Sequence, residues 1–426
     1  MEVKMDSGQT TTDKPESAIE HDRGAKAAAG PRIADRIARL GTETAFAVSA
    51  EAAAFASQGN HVYPFHLGDL NIPTPGNIVE ASFKAIKDGK TGYCPNAGIP
   101  ALRAALAADL NASHGLSYSA ENVAVQPGGK SVIGKFLLAH MNPGDEVLYP
   151  NPGYPIYESQ IEFHGGVAVP YGYLEDEDGF ALDLNGLEAA VTPRTRLLVL
   201  NEPQNPLSAD CSAAEREHLA DLVLRHDLMV LCDEAYFDIR YSGASASLAS
   251  LPGMAERCVI LYTFSKKFAM TGWRLGAAIG PRETIEVIAK LNTNDESCPN
   301  HFIQYGALEG LTGDQSGPRH IVSVLRERRD AAIRMLNETP GVRCYTPDSA
   351  FYLFLNVTGA MYDKGFDDVE EFRRAVLEET GVAACSRVHF GRPQPGEKEQ
   401  YLRLAYSGID TEQIVEGLGR LKGYLA

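Results

Sequence analysis

Short apolar runs alternate with amphipathic stretches through the middle of the chain, and this alternation restricts the possible folds more than any other feature. The runs cover residues 123–125, 147–148, 167–169, 197–200, 229–231 and 259–262. Continuous apolar runs of this length indicate strands that are buried on both faces. Helical patterns lie between them, and in CSAAEREHLADLVLRH Ser212 and Glu215 are spaced for a capping box. Strands that alternate with helices predict an α/β domain whose mostly parallel sheet is covered on both sides.

The two ends of the chain follow other patterns. After residue 308, a charged helix (HIVSVLRERRDAAIRML), a strand pair around 351–356 and helices near 369–379 and 411–421 predict a smaller α+β domain at 309–426. An N-terminal arm at 31–60 has partial helical spacing and is expected to join this small domain, which leaves 61–308 as the large domain. Residues 1–30 are polar, small and aperiodic, and this composition predicts a disordered tail.

Charge and cysteine content argue against several classes of function. The chain has 56 acidic and 39 basic residues, and its formal charge of −17 opposes binding to nucleic acid. Its seven cysteines are scattered singly, which argues against a disulfide framework or a zinc site and favours a reducing compartment. The N-terminus lacks the pattern of an export signal, and no apolar run approaches the ~20 residues that span a bilayer. We therefore expect a soluble cytoplasmic protein with no metal site and no membrane partner.

Polar residues follow the apolar runs, at the edge where an open parallel sheet binds its ligands. The segments are QPGGKS, YPNPGYPIY, NEPQNP, CDEAY and TFSKK. Each has an ordinary structural explanation, such as a Gly-Gly turn, a helix cap or salt bridge for Asp233, and a solvated charge for Lys266 or Lys267. Together they offer a lysine that can lose its proton when desolvated, an anion site at a helix N-terminus, a carboxylate and aromatic rings. Pyridoxal 5'-phosphate (PLP) chemistry requires this combination.

The motifs between Gly68 and Arg403 resemble those of the fold-type I PLP-dependent aminotransferases, the aspartate aminotransferase superfamily (class I/II). The segment matching S-K-x-F-x-M-T-G-W-R carries most of this resemblance. It implies a mostly parallel seven-stranded sheet sandwiched by helices, and a smaller α+β domain formed by both chain ends. It also implies a homodimer with shared active sites. The expected activity is a ping-pong transfer of an amino group from an L-amino acid to a 2-oxo acid through a Schiff base of PLP.

The same resemblance assigns roles around the cofactor. Lys266 is implied as the Schiff-base lysine and general base, Asp233 as the partner of the pyridine nitrogen, and Tyr236 as a hydrogen-bond partner of the phenolic oxygen. Asn205 is implied to bond that same oxygen. The phosphate cup is expected from Gly129, Lys130, Thr263, Ser265 and Arg274. Tyr154 is expected to stack on the ring, and Tyr93 to reach the phosphate of the partner subunit. Gly68, Asn205 and Arg403 are expected at the substrate, with Arg403 binding its α-carboxylate.

Three positions remain open at this stage. The family usually has N-P-T-G, whereas here Asn205-Pro206 is followed by Leu207-Ser208, so we expect the adjoining loop to differ although Asn205 is retained. Asp295 and Glu296 could face the pocket and favour a cationic or neutral substrate side chain, or they could be solvated or capping acids. Lys267 occupies a variable position beside Lys266, and we interpret it as a solvated charge.

Two other functions fit the same motifs. The first is another fold-type I PLP enzyme, such as a lyase, a cyclising synthase or a racemase acting on an amino acid, because fold alone does not determine the reaction. The second belongs to a different class, a non-catalytic PLP-sensing domain. Such regulators carry a separate DNA-binding module, and the N-terminal tail has no helix-turn-helix pattern.

Overall fold

The structure is a computed structural model that describes residues 32–41 and 45–426. The predicted tail, residues 1–30, lies outside the described residues. In chain order the strands are β1 (Tyr63–Pro64), β2 (Val123–Gln126), β3 (Glu146–Pro150), β4 (Val167–Tyr171), β5 (Tyr173–Glu175), β6 (Phe180–Leu182), β7 (Thr195–Asn201), β8 (Met229–Asp233), β9 (Cys258–Thr263), β10 (Gly276–Ile279), β11 (Tyr352–Asn356), β12 (Val382–Ala383), β13 (Cys385–Ser386) and β14 (Tyr401–Ala405).

The helices surround these strands. They are α1 (Ala45–Ser57), α2 (Gly76–Lys87), α3 (Pro100–His114), α4 (Gly129–His140), α5 (Ile156–Phe163), α6 (Leu184–Ala190), α7 (Ala213–Arg225), α8 (Phe264–Lys267), α9 (Arg282–Asp295), α10 (His301–Thr312), α11 (Ser316–Asn337), α12 (Thr358–Asp363), α13 (Val369–Thr380) and α14 (Thr411–Leu425). Short 3-10 helices are found at Asp35–Arg39, Ala120–Asn122, Leu248–Ser250, Thr271–Trp273 and Arg387–Phe390.

Within the described residues, the central sheet has seven strands in the order β2-β10-β9-β8-β7-β3-β4. Its neighbours from β9 to β4 run parallel, and β10 is antiparallel to both β2 and β9. The prediction of a mostly parallel seven-stranded sheet is confirmed. The apolar runs did not reveal β10, because its sequence GAAI contains only one β-branched residue. The prediction that β4 is buried on both faces is wrong, because β4 is an edge strand and Val167 is exposed.

Two hydrophobic clusters cover the two faces of this sheet. On β7, Leu198 and Leu200 belong to one cluster, whereas Leu197 and Val199 belong to the other. Successive side chains of a strand point to opposite faces, so an unbroken apolar run is what a sheet with helices on both sides requires. Helix α7 begins with the predicted capping box, in which the Ser212 hydroxyl accepts the Glu215 N–H and the Glu215 carboxylate accepts the Ser212 N–H.

The C-terminal elements form a further core. Within the described residues, β11, β14 and β13 make a three-stranded antiparallel sheet, in which β11 is an edge strand paired with β14. The predicted strand pair at 351–356 is therefore wrong: that segment is one strand, and its partner lies near residue 403. The helices predicted near 369–379 and 411–421 are confirmed as α13 and α14. The predicted domain boundaries stay predictions.

Residues before α2 join this C-terminal core. Tyr63 and Phe65 are fully buried in it together with Phe351 and Leu404, and β1 pairs with β12. Across residues 32–41 and 45–426, no helix has the length and apolar character needed to cross a membrane.

Candidate active site

A cavity of about 590 Å³ opens where β7, β8 and β9 end and where the three-stranded sheet faces them. Of the thirteen residues predicted for the site, twelve line this cavity: Gly68, Gly129, Lys130, Tyr154, Asn205, Asp233, Tyr236, Thr263, Ser265, Lys266, Arg274 and Arg403. The thirteenth, Tyr93, is not among its lining residues in the described chain and is 87% exposed. The structure therefore brings the predicted cofactor and substrate residues of one chain together.

The two adjacent lysines point to different environments. Both belong to the short helix α8, directly after β9, and the Lys266 ammonium nitrogen donates a 2.7 Å hydrogen bond to the Gly68 carbonyl at the cavity. Lys267 lies 3.0 Å from Asp238 and 3.6 Å from Asp109, with a side chain only 14% exposed. Burial lowers the pKa of Lys267, but attraction to the two carboxylates outweighs it and raises the pKa above its usual value. Its interpretation as a solvated charge is wrong.

Asp233 ends β8 and is buried. Its carboxylate accepts a 2.6 Å hydrogen bond from the Tyr157 hydroxyl and a 3.2 Å hydrogen bond from the Ala235 N–H. Burial raises the pKa of Asp233 to about 6, while the hydrogen bonds from Tyr157 and Ala235 and the nearby Lys266 act in the opposite direction. The carboxylate is consequently ionised at neutral pH and can hold a cationic nitrogen. Tyr157 was not predicted, although it stands only three residues after Tyr154 in the same motif.

Several groups that can donate hydrogen bonds to an anion lie around the N-terminus of α4, which begins at Gly129. A Cβ on Gly128 (φ +97°) would lie 2.4 Å from Arg274 Nη2, so glycine is what allows the guanidinium to approach this helix end. The hydroxyls of Thr263 and Ser265 are 2.9 Å apart beside it and line the same cavity. Helix N–H groups, hydroxyls and a guanidinium are the donors that a phosphate group accepts, so these residues fit the phosphate of PLP.

Arg403, on β14, is buried in the opposite wall. Its guanidinium carbon lies 4.7 Å from the centre of the Tyr352 ring and 4.8 Å from that of Phe390. One nitrogen donates to the His66 carbonyl, and another lies 3.5 Å from Asn205 Oδ1. Arg403 Nε is buried and has no hydrogen-bond partner among the described residues. Because an unsatisfied buried donor is unfavourable, this atom fits a carboxylate that arrives with the substrate.

Tyr236 and Gly68 both contact a tyrosine that the sequence did not reveal. The hydroxyls of Tyr236 and Tyr352 are 2.6 Å apart. Burial raises the pKa of Tyr236 well above its usual value, so the phenol stays protonated and can donate. A Cβ on Gly68 would lie 2.3 Å from the Tyr352 hydroxyl, so the absence of a side chain at Gly68 leaves room for Tyr352. The prediction that Gly68 lets backbone approach the substrate is not tested by this contact.

Further lining residues come from segments without a recognisable motif, namely Phe46, His66, His389 and Phe390. Burial lowers the pKa of His66 to about 4, assisted by the positive charges of Arg403 and Arg373, so this imidazole is neutral at physiological pH. Burial also lowers the pKa of His389. Only the packing of distant segments shows that these residues belong to the site.

Asp295 and Glu296 lie outside the cavity of the chain that carries them. Glu296 forms a 2.5 Å ion pair with the buried Lys135, and the Asp295 side chain is 75% exposed. These contacts describe only the cavity of their own chain, so the hypothesis that the two acids face a substrate pocket stays a prediction. In the part of the chain that the structure describes, no group of three or more His, Cys, Asp or Glu side chains could hold a metal ion.

One cavity holds a lysine that follows a sheet strand, a buried carboxylate, hydrogen-bond donors that fit a phosphate and an arginine with an unsatisfied N–H, and this arrangement on this fold fits a fold-type I PLP-dependent enzyme. The sequence profile of the family described as Aminotransferase class I and II matches residues 61–421. The chain belongs to this family, and it is a transferase that moves amino groups.

Individual relatives agree with this assignment. An asparagine--oxo-acid transaminase from Streptococcus mutans is 33% identical over 92% of this chain and 99% of the relative. An aspartate aminotransferase from Musicola paradisiaca is 33% identical over 91% of this chain and 94% of its own length. Among solved structures, the aspartate aminotransferase from Rhizobium meliloti matches with a TM-score of 0.87 at 31% identity, covering 93% of this chain and 99% of that one. The aspartate aminotransferase from Thermus thermophilus with maleate matches with a TM-score of 0.84 at 31% identity, over 92% and 99%.

Proposed function

We propose that this aminotransferase binds PLP in the 590 Å³ cavity and uses Lys266 as its catalytic amine. The proposal rests on one observation. Lys266, the Asp233 carboxylate and the hydrogen-bond donors at the N-terminus of α4 all line that cavity. When bound, PLP supplies the carbonyl that takes up the amino group and a ring that withdraws electrons. The protein residues hold that ring, orient the substrate and move protons.

The phosphate and the ring nitrogen are held at opposite ends of the cofactor. Arg274 and the N-terminus of α4 neutralise the phosphate, with the hydroxyls of Thr263 and Ser265 as further donors. At the other end, ionised Asp233 keeps the ring nitrogen protonated, and the Tyr157 hydroxyl fixes the orientation of that carboxylate. By keeping a proton on that nitrogen, Asp233 would increase the electron withdrawal that the bound cofactor supplies.

Lys266 carries the proton during the transfer. Its amine would take the proton from the substrate α-carbon and hold it for return, which is general acid–base catalysis by one group. The Gly68 carbonyl, 2.7 Å from the Lys266 nitrogen, gives the amine a defined position on the cavity wall. Tyr236 and Asn205 donate to the phenolic oxygen, while Tyr154 stacks on the ring.

We propose an acidic amino acid as the donor. Arg403 binds the α-carboxylate through its unsatisfied Nε and the adjacent nitrogens, and the rings of Tyr352 and Phe390 fix the guanidinium plane. The Lys130 ammonium also lines the cavity, 5.8 Å from the centre of the Tyr154 ring, and we propose that it donates to a second carboxylate in place of the phosphate contact that the family resemblance implies. The relatives named as aspartate aminotransferases support the same substrate class.

We also propose a homodimer in which Tyr93 reaches the phosphate of the partner subunit. Tyr93 is almost fully exposed, so its hydroxyl is available to another chain. The N-terminal arm exposes Ile33, Ile37 and Phe46, and apolar side chains grouped on one segment are typical of surfaces that a second subunit covers.

The proposal is tested by single-turnover reactions of the PLP-loaded enzyme with aspartate, alanine and arginine. We expect aspartate to react fastest, giving one equivalent of 2-oxo acid per site without release of ammonia, because the amino group stays on the enzyme. Continued release of ammonia would instead indicate a lyase, and absence of any reaction would indicate a non-catalytic domain. Asp221→Ala is the matched control, because its exposed side chain lies on α7 outside the cavity and the ranking of donors should not change.

A further inference from the structure

Ser208 lies in the turn that follows Asn205, at the position where the sequence departs from N-P-T-G. It is buried, and its φ of +54° falls in the left-handed region that glycine adopts freely but serine does not. Its N–H donates a 2.7 Å hydrogen bond to the Gln204 carbonyl, which closes the turn. The Ser208 hydroxyl makes contacts that a glycine at this position would lack.

The Ser208 hydroxyl bonds both backbone groups of one residue on the opposite wall. It accepts the Tyr352 N–H at 3.2 Å and donates to the Tyr352 carbonyl at 3.0 Å. Tyr352 begins β11, an edge strand, and its outward-facing backbone groups are bonded by the Ser208 hydroxyl rather than by a neighbouring strand. Tyr352 is only 2% exposed, so bulk water does not replace such a partner. The hydroxyl thus fixes the start of β11 to the turn that carries Asn205.

The Tyr352 side chain contacts both halves of the proposed reaction centre. Its hydroxyl lies 2.6 Å from that of Tyr236, which serves the cofactor oxygen. Its ring packs 4.7 Å from the guanidinium carbon of Arg403, which serves the substrate carboxylate. A shift of the Tyr352 backbone would displace both contacts, because a buried ring moves with the Cα atom that carries it.

We propose that Ser208 is a positioning residue whose hydroxyl holds the Tyr352 backbone and thereby sets the geometry of the Arg403 carboxylate site. This inference rests on the proposed function. The amino donor and the 2-oxo acid acceptor each present an α-carboxylate to Arg403, so the inferred role of Ser208 applies to both half-reactions.

A second contact keeps the strand attached when the hydroxyl is removed. Asp210 accepts a 2.8 Å hydrogen bond from the Ser349 hydroxyl and forms a 2.7 Å ion pair with Arg240. Loss of the Ser208 hydroxyl should therefore displace Tyr352 locally and leave the fold intact.

Two substitutions at Ser208 distinguish the effect of the hydroxyl on substrate binding from the effect of backbone strain. Ser208→Gly removes both, whereas Ser208→Ala removes the hydroxyl and keeps a side chain at positive φ. For both variants we expect KM for donor and acceptor, and Kd for the unreactive dicarboxylate succinate measured by calorimetry, to rise on the order of tenfold. We expect kcat to change less, because the lost interaction is made with bound substrate and transition state alike. Opposite effects of Gly and Ala on KM would overturn the proposal in favour of backbone strain.

Thr358, the first residue of α12, provides a matched control just beyond the other end of the same strand pair. Its hydroxyl also accepts a backbone N–H, that of Gln400 at 2.8 Å, and donates to Glu399 at 2.9 Å, but it lies after the far end of β11 and outside the cavity. Thr358→Ala should lower Tm without changing KM or the Kd for succinate. If Ser208→Ala behaves like Thr358→Ala, the hydroxyl is structural only and the proposal fails.

A double-mutant cycle tests the route through Tyr352. In a Tyr352→Leu background, which lacks the ring, adding Ser208→Ala should raise KM no further. An equal rise in both backgrounds would show that Ser208 acts by another route. If the wild-type enzyme transfers amino groups and the Ser208 variants match it, this inference alone fails; if the wild type transfers none, the proposed function fails and this inference fails with it.

Discussion

The two walls of the cavity are built in different ways. The sheet wall consists of residues at or just after the ends of β7, β8 and β9, among them Asn205, Asp233 and Lys266. The small-sheet wall consists of His66, Tyr352, His389, Phe390 and Arg403, which lie far apart in the chain and meet through the three-stranded sheet and the segments packed on it. Parallel strands place their ends at one edge, so the sheet wall follows from local sequence. The small-sheet wall depends on tertiary packing, and this difference implies that cofactor chemistry and substrate binding can be disturbed separately.

The largest effect on turnover is expected when the amine proposed to be reactive, that of Lys266, is removed from the sheet wall. Lys266→Ala should lower turnover by more than about a thousandfold, because the same group attaches the cofactor and moves the proton. It should also abolish the visible absorbance of cofactor that is covalently attached to the protein. Steady-state kinetics and absorbance spectra of the PLP-loaded variant measure the two effects.

Lys267→Ala is the control, one residue away and outside the cavity. It should keep the absorbance of attached cofactor, yet lower Tm because Asp238 and Asp109 lose their ion-pair partner. If Lys267→Ala lost the attached cofactor and Lys266→Ala kept it, the assignment of the two lysines would be reversed.

A smaller effect is expected on the small-sheet wall. Arg403→Ala should raise KM for the amino donor by roughly 30- to 100-fold, because hydrogen bonds to a charged group are each worth about 1.5–3 kcal/mol. The Kd for PLP should stay within about threefold of the wild-type value, since Arg403 is proposed to bind the substrate and not the cofactor. Kinetics over a range of donor concentrations, with PLP binding followed by fluorescence, separate the two quantities. An equal loss of affinity for PLP would mean that the two walls are not separable.

The smallest effect concerns the pH dependence of stability in the protein without cofactor. The pKa of Asp233 is near 4 when unfolded and about 6 in the fold, so between these values the folded state holds a proton that the unfolded state has lost. Stability therefore falls as pH rises from 4 to 6, by at most ~2–3 kcal/mol. Asp233→Asn cannot titrate and should lack this decrease.

Urea denaturation at several pH values, for wild type and Asp233→Asn without cofactor, measures that difference. His66 has a lowered pKa and acts in the opposite direction, because stability is lost as pH falls from about 6.5 to 4. Both proteins retain His66, so its contribution cancels in the comparison. Parallel pH profiles would contradict the raised pKa of Asp233.

The same contrast explains how much could be predicted from sequence. The sheet and the sheet wall were predictable because apolar runs mark buried strands, and the segment from Lys266 to Arg274 carries a specific pattern. Tyr352 was not predictable, because its neighbours Tyr236 and Ser208 are more than a hundred residues away. The environment of Lys267 was interpreted wrongly for a related reason: Asp109 comes from α3, and nothing in the local sequence indicates that this helix packs there. Arg403 was identified by resemblance, and its stacking between two rings required the structure.

The ion pairs of Lys267 have a consequence for the residue before it. They anchor the backbone of α8 to Asp109 and Asp238, one peptide unit from the reactive lysine. These contacts restrain the backbone at Lys266, so its amine changes position mainly by rotation about the four side-chain torsions. Under the proposed function, the Lys266 amine can therefore move between the cofactor and the substrate by side-chain rotation alone, while the ion pairs of its neighbour hold the main chain in place.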